Sequence, residues 1–424
     1  MTVWDTPERH ALRESVARFT VKEIVPYLPA WEDAEQVPRE LHKAAAAAGL
    51  LGVAFPEEVG GQGGDFVDIS IVTEQIIQSG GSSGLMAALF THGIALPHIV
   101  GSGTGPYASA AGRDLIDRYV RPTLAGDLIG SLAVTEPGGG SDVAAITTKA
   151  RYQEGDGGGY FVIDGTKTFI TSGVRADFVT TAVRTGGEGH AGISLVVIDK
   201  ATPGFTVAAP LRKMGWHCSD TAELSFDGVR VPASQVVGEV DGGFVLIMRQ
   251  FVNERLSLAV QAYATAQRSL DLAVDYAKQR TTFGRPLITR QVIRHKLVDM
   301  HRRTTTARTF TRSVIERAAV QSGSRRAEGA QIQHSEGAQI QHSEGAQMGL
   351  VLDACLAKND AVQACDFVVD EAVQIFGGMG YMRESEVDRH YRDSRILGIG
   401  GGANEVLTDL SARLLGYSPG RETA

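Results

Sequence analysis

The chain has 424 residues, 43% apolar and 21% charged, the balance of a globular protein large enough for two or three lobes with cores of their own. Forty-one Lys and Arg against 49 Asp and Glu give a formal charge of −8, and no basic cluster with interleaved aromatics is present, which argues against nucleic acid as a partner. No apolar run approaches the roughly 18 residues of a membrane span, the first ten residues are unlike a signal or transit peptide, and three cysteines without metal-ligand spacing read as reduced thiols. The expected compartment is the cytoplasm, with no bound metal.

Apolar residues recur at helical spacing over 6–30 and 38–49, with Pro26 and Pro38 as breaks. Residues 53–65 form a glycine-rich loop, 66–79 resume a helical pattern that reaches toward 91–100, and a second glycine-rich break at 101–112 leads into a helix over 113–125. At 132–142 the character changes: Leu-Ala-Val-Thr-Glu-Pro-Gly-Gly-Gly-Ser-Asp predicts a strand running into an open loop. Glycines let a backbone approach a flat or phosphorylated ligand, and Thr135 and Ser141 can bond its polar atoms; taken alone, the string also suits a plain surface turn.

Short runs at 160–163, 167–171, 178–184, 193–198 and 222–226 are rich in β-branched and aromatic residues. Asp164-Gly165 and Asp227-Gly228 carry the hairpin-turn signal, so residues 130–240 read as a small antiparallel β domain. No strand is followed by Gly-x-Gly-x-x-Gly or by a P-loop, so a nucleotide cofactor would be held by another architecture.

Beyond Gly242, residues Leu256, Ala259, Val260, Tyr263, Ala266, Leu270, Ala273, Val274 and Ala277 lie three and four apart and predict one long amphipathic helix. Residues 280–287 end it, and helices follow over about 289–321 and about 350–377. Between them Glu-Gly-Ala-Gln-Ile-Gln-His-Ser occurs at 328–335, repeats at 336–343 and begins again at Glu344. Its polar, glycine-bearing composition predicts a mobile surface insertion over about 324–347, on which His334 and His342 are poor metal ligands. The resulting fold class is α+β, mainly α: an N-terminal helical domain at 1–129, a central antiparallel β domain at 130–240 and a C-terminal helical bundle at 241–424.

With these segments in place, the chain resembles the acyl-CoA dehydrogenase family of FAD flavoproteins over nearly its whole length. The resemblance implies that Leu132, Val134, Thr135, Gly140 and Ser141 of the first motif line the flavin, with Ser141 also touching CoA. It assigns the same role to Phe169, Ile170 and Thr171 of Lys-Thr-Phe-Ile-Thr-Ser-Gly at 167–173. Phe169 can pack beside the apolar flavin face while the threonines serve its polar edge. Arg280, Thr282 and Phe283 of Arg-Thr-Thr-Phe-Gly, with Gln291, match a segment that holds the adenosine end. Gln374, Gly377 and Gly378 of Gln-Ile-Phe-Gly-Gly-Met-Gly match another. In the family these two segments reach the cofactor of a neighbouring subunit, which implies a homotetramer. Ala403, Asn404 and Glu405 complete the implied cofactor set, and Trp216 and His217 of the 214–221 segment are read as structural.

The implied reaction is α,β-dehydrogenation of an acyl-CoA thioester: a carboxylate takes the α-proton, a hydride passes from the β-carbon to flavin, and an electron-transfer flavoprotein accepts the electrons. Many members carry the base in a C-terminal Ile-Tyr-Glu-Gly-Thr segment, where this chain has Gly401. The isovaleryl- and long-chain-type branch carries it on a helix before an arginine, and Asn-Glu-Arg-Leu at 253–256 places Glu254 there, with Glu405 as the second choice. Arg255, Gly401 and Gly402 are then substrate contacts, Arg255 ordering the site because a guanidinium does not deprotonate. Two rival readings are an acyl-CoA oxidase, and a flavin- or CoA-binding protein without activity.

Overall fold

The apolar stripe read over 256–277 is the buried side of one 37-residue helix, Gly243–Gln279, on which Leu256, Val260, Tyr263, Ala266, Leu270 and Ala277 are each at most 3% exposed. The computed structural model describes residues 2–105, 108–155, 158–328 and 338–417, and of 321–347 the backbone alone. The chain divides into two compact units, one of residues 1–20, 65–83 and 252–424, the other of 21–64 and 84–251.

In the first unit, helix Phe66–Gln78 and the start of Pro7–Glu23 join the C-terminal helices Gln291–Glu328, Ala338–Phe376, Glu386–Ser394 and Asn404–Leu414. One buried carboxylate accounts for much of this grouping. Glu74, 6% exposed, accepts from Arg13 at 2.9 Å, from Arg312 Nη2 at 2.7 and 2.8 Å and Nε at 3.0 Å, and from the Tyr263 hydroxyl at 2.5 Å. A buried charge with fewer partners would be strongly unfavourable. Helix Phe66–Gln78 begins where Asp65 accepts from the Val67 and Asp68 amides and Asp68 accepts from Asp65 in return, so the predicted glycine-rich loop ends in a capping box.

The second unit carries an eight-stranded sheet: β1 (Gly130–Ala133), β2 (Lys149–Gln153), β3 (Tyr160–Thr171), β4 (Phe178–Arg184), β5 (Ile193–Asp199), β6 (Phe205–Pro210), β7 (Thr221–Pro232) and β8 (Val236–Val237). The order is β6-β7-β3-β2-β4-β5-β8, with β1 beside β4. Most pairs are antiparallel, but β1 and β2 each pair with β4 in parallel, which corrects a wholly antiparallel reading. Its faces are covered by two apolar clusters, one around Phe178, Leu195 and Val197, the other around Ile163, Val196 and Leu224.

Neither Asp-Gly pair is a hairpin turn. Both lie inside long strands, β3 and β7, where the register shifts between Ile163 and Gly165 so that Asp164 faces the extra residues Asp227 and Gly228. The Asp164 carboxylate accepts from the Gly228 amide at 2.8 Å, and Gly165, at φ +151, lies so close to Thr148 that a Cβ would stand 2.6 Å from its Oγ1. The two dipeptides therefore build a β-bulge that twists the strands. Residues 110–124 are helical but pass through a π turn at Ile116–Val120, just before Pro122, which has no amide hydrogen to donate.

The expected surface insertion is helical where its backbone is described. Residues 324–328 and 338–347 continue the helices Gln291–Glu328 and Ala338–Phe376, because Ala, Gln and Glu in the repeat favour helix. Residues 329–337, with His334, lie outside the described residues, as does the His342 side chain.

Candidate functional site

The two motifs at 132–142 and 167–173 are laced together within the second unit. After β1 the chain doubles back, with Glu136 and Gly139 exchanging backbone bonds of 3.2 and 3.0 Å. The Glu136 carboxylate, 6% exposed, accepts from the Thr147 amide and hydroxyl at 2.7 Å each, the Thr148 amide at 2.9 Å and the Lys167 ammonium at 2.9 Å. Lys167 is fully buried and also donates to the Val134 carbonyl at 2.9 Å. Burial works against the ionised Glu136, but the Lys167 charge and these hydrogen bonds outweigh it and bring the carboxyl down to about 2. Burial lowers Lys167 to about 8, with Glu136 opposing. One further bond, from the Thr168 amide to the Thr135 carbonyl at 2.9 Å, sets the motifs side by side.

The second register shift of β3 against β7, between Lys167 and Ile170, turns Phe169 outward. Its φ is +59 and its ring is 69% exposed, while Ile170 next to it is 2% exposed. A left-handed aromatic costs roughly 1–2 kcal/mol, and a bulge that spends it on showing a ring to the outside is a device for contact. Thr135, Thr171 and Leu132 are partly buried, Val134 is buried, and Gly140 and Ser141 are exposed. A Cβ on Gly138 or Gly139 would meet no protein atom within 4 Å, so the chain's own packing does not require bare backbone there.

The first unit holds the carboxylate. Glu254 is partly buried, and burial raises its pKa while Arg255 and Lys358 oppose the rise. Gly401 and Gly402 have φ of +63 and +100. A Cβ on Gly401 would stand 2.4 Å from Leu258 Cδ1 and 3.6 Å from Glu254 Oε1. The place of a side chain at 401 is thus taken by Leu258, with Glu254 in contact distance beside it. Lys358, fully buried, donates to the Gly402 carbonyl and to Asn404 Oδ1, each at 2.9 Å. Ala403 precedes helix Asn404–Leu414, whose first turn exposes Glu405, and Arg255 is buried at 7% exposure.

The other two motifs gather at one end of the same unit. Thr281–Thr282 pairs with Arg285–Pro286 around Phe283 and Gly284, both at positive φ, a two-residue hairpin that leaves Phe283 96% exposed. Arg280 and Gln291 are exposed and Thr282 is partly so. Gln374, Gly377 and Gly378 are exposed at the end of Ala338–Phe376, tied to the same end by Phe376 stacked on Tyr276 with ring centroids 4.2 Å apart. In the second unit His217 bonds the Lys213 carbonyl at 3.0 Å, a local contact in keeping with a structural role. Among the described residues no group of His, Cys, Asp and Glu could hold a metal, and no helix is long and apolar enough to cross a membrane.

Comparison with known proteins places the chain as a whole. Family models described as acyl-CoA dehydrogenase N-terminal, middle and C-terminal domains match residues 6–106, 131–229, and 241–349 with 325–416. The chain belongs to the acyl-CoA dehydrogenase family. The two C-terminal stretches share 325–349, where the eight-residue unit is duplicated. The long-chain specific acyl-CoA dehydrogenase of rat mitochondria is 32% identical over 96% of this chain and 86% of its own. An acyl-CoA dehydrogenase of Bacillus subtilis is 33% identical over 95% and 96%. The crystal structure of a probable acyl CoA dehydrogenase from Mycobacterium abscessus is 56% identical, covers 97% of this chain and 100% of its own, and superposes with a TM-score of 0.87.

The protein is accordingly an FAD-dependent oxidoreductase that dehydrogenates acyl-CoA thioesters. Its residues fit the cofactor: the out-turned Phe169 offers a ring for a flat apolar face, and the open backbone at Gly138 and Gly139 leaves room beside it. Sequence reasoning named most of these residues but missed the Glu136–Lys167 pairing and the parts played by Leu258 and Lys358. A signal for the last was present, since Lys358 interrupts an otherwise apolar helical face.

Proposed function

We propose that Glu254 is the base that takes the α-proton of the acyl-CoA thioester. The observation that carries this reading is the 3.6 Å approach of Glu254 Oε1 to the Cβ position of Gly401, which puts this carboxylate where a carboxylate-bearing residue 401 would compete with it. Burial raises the Glu254 pKa toward the working pH, which strengthens it as a base. Gly401 and Gly402 present bare backbone beside it for a close-lying thioester, and Arg255 and Ser141 contact the substrate. FAD, when bound, accepts the hydride from the β-carbon. The set from Leu132 to Ser141 and from Phe169 to Thr171 binds the flavin end; Arg280, Thr282, Phe283, Gln291, Gln374, Gly377 and Gly378 bind the adenosine end, with Ala403, Asn404 and Glu405 completing the site.

We read the enzyme as a cytoplasmic homotetramer that passes its electrons to an electron-transfer flavoprotein. Phe283, Met379 and Tyr381 are 96%, 57% and 84% exposed near the Arg280 and Gln374 segments, and a neighbouring subunit would cover them. The sedimentation mass is expected to be about four times the 45.1 kDa chain; a monomer would remove the shared-site reading. Anaerobic mixing of the holoenzyme with straight and branched acyl-CoAs is expected to bleach the bound flavin with at least one of them. No bleaching with any thioester would favour a binding protein without activity. Rapid oxygen uptake without an added acceptor would favour an oxidase.

A further inference from the structure

Lys358 has no role in the assignment above, and its position asks for one. It shares a row of helix Ala338–Phe376 with Val362, Cys365 and Val369, four, three and four residues on, and all four are at most 2% exposed. An ammonium buried in such a row is costly unless it is hydrogen-bonded. No ion pair joins Lys358 among the described residues; its two bonds, both 2.9 Å, go to the Gly402 carbonyl and Asn404 Oδ1. Burial first and Arg255 second lower the Lys358 pKa to about 8, with Glu405, Asp366 and Cys355 acting the other way, so the group is charged at neutral pH.

The turn it grips is the one that meets the carboxylate. Gly402 follows Gly401, whose Cβ position is 3.6 Å from Glu254 Oε1. Two cations, Arg255 on the long helix and Lys358 on the facing one, favour the ionised Glu254 against its burial. We propose that Lys358 is a positioning residue for the dehydrogenation, holding the turn at residues 400–404 against Glu254 and supplying a positive charge beside which that carboxylate works. This rests on Glu254 being the base.

The test compares the holoenzyme with K358Q, K358R and E254Q by the pH dependence of kcat at saturating acyl-CoA, with flavin content and thermal midpoint measured on each. Gln keeps a donor for Gly402 but no charge. Its acidic limb is expected to move up by about one pH unit, and its kcat at pH 6 to fall about tenfold, with flavin content unchanged. Arg keeps the charge, and its limb stays at the wild-type position. A merely structural lysine would alter thermal midpoint and flavin content but leave the limb in place. A limb unmoved in K358Q therefore overturns the proposal while E254Q remains inactive. An E254Q enzyme that retains the wild-type rate and limb overturns the base assignment instead, whatever the Lys358 variants do. Should K358Q not accumulate folded, K358M, of similar length and without charge, takes its place: a limb moved up supports the proposal and an unmoved one overturns it.

Discussion

Glu254→Gln slows flavin bleaching by acyl-CoA about a thousandfold, the span expected when a positioned general base is removed. The amide has nearly the size of the carboxyl and leaves Leu258 and the 400–402 turn undisturbed, but it cannot accept a proton. The same substitution raises stability. Burial holds the folded-state pKa of Glu254 above the ordinary glutamate value of 4.5, so between the two the folded protein binds more protons than the unfolded one, and stability falls as pH rises through that window. At neutral pH the buried charge is a net burden, and Gln relieves it. Opposite signs in rate and thermal midpoint separate loss of chemistry from loss of fold. Adding Gly401→Glu to the variant does not restore turnover, because the new Cβ meets Leu258 at 2.4 Å and residue 401 sits at φ +63. If E254Q bleaches at near the wild-type rate, the base lies elsewhere, and Glu405 is next to be replaced.

What the sequence disclosed and what it hid divide along a physical line. The flavin-side motifs were legible because each is a contiguous string whose backbone does the work: Pro-Gly-Gly-Gly opens a loop, and β-branched runs make strands. The long helix was legible because its buried face repeats every three to four residues. Asp164-Gly165 and Asp227-Gly228 misled, since a left-handed glycine suits a turn and a bulge equally, and only the facing strand decides between them. Strand β2 escaped notice because four of its five residues are exposed, which leaves no alternation to read. The grouping of the first helix and Phe66–Gln78 with the C-terminal helices was hidden because it depends on Glu74 meeting Arg312 and Tyr263, positions 238 and 189 residues away. Lys358 and Gly402 are likewise 44 residues apart, and no local pattern joins them.

Glu136→Ala destabilises the protein by about 3–5 kcal/mol, because it leaves the fully buried Lys167 ammonium without its counter-charge. The same change frees the Thr147 and Thr148 amides and loosens the loop at 136–140 from β3, so bound flavin is lost in step; urea midpoints and flavin absorbance of the purified variant read the two effects. The pH dependence has a definite sign. Glu136 is depressed to about 2 from the ordinary glutamate value of 4.5, so its stabilisation is complete above 4.5 and drains away as pH falls toward 2. Lys167 is depressed to about 8 from 10.5; there the unfolded chain binds more protons, and its contribution to stability grows as pH rises from 8 to 10.5. In E136A, with the carboxylate gone, the acid-side drop disappears and the alkaline gain enlarges, since the lone lysine is then more costly to keep charged. The double variant E136A/K167M recovers much of the lost stability, as replacing a whole buried pair with apolar groups does, yet it does not recover flavin. That split would show that the pair's value lies in fixing the loop against β3; if K167M alone cost nothing in flavin affinity, the loop would owe its place to the Thr168–Thr135 backbone bond instead.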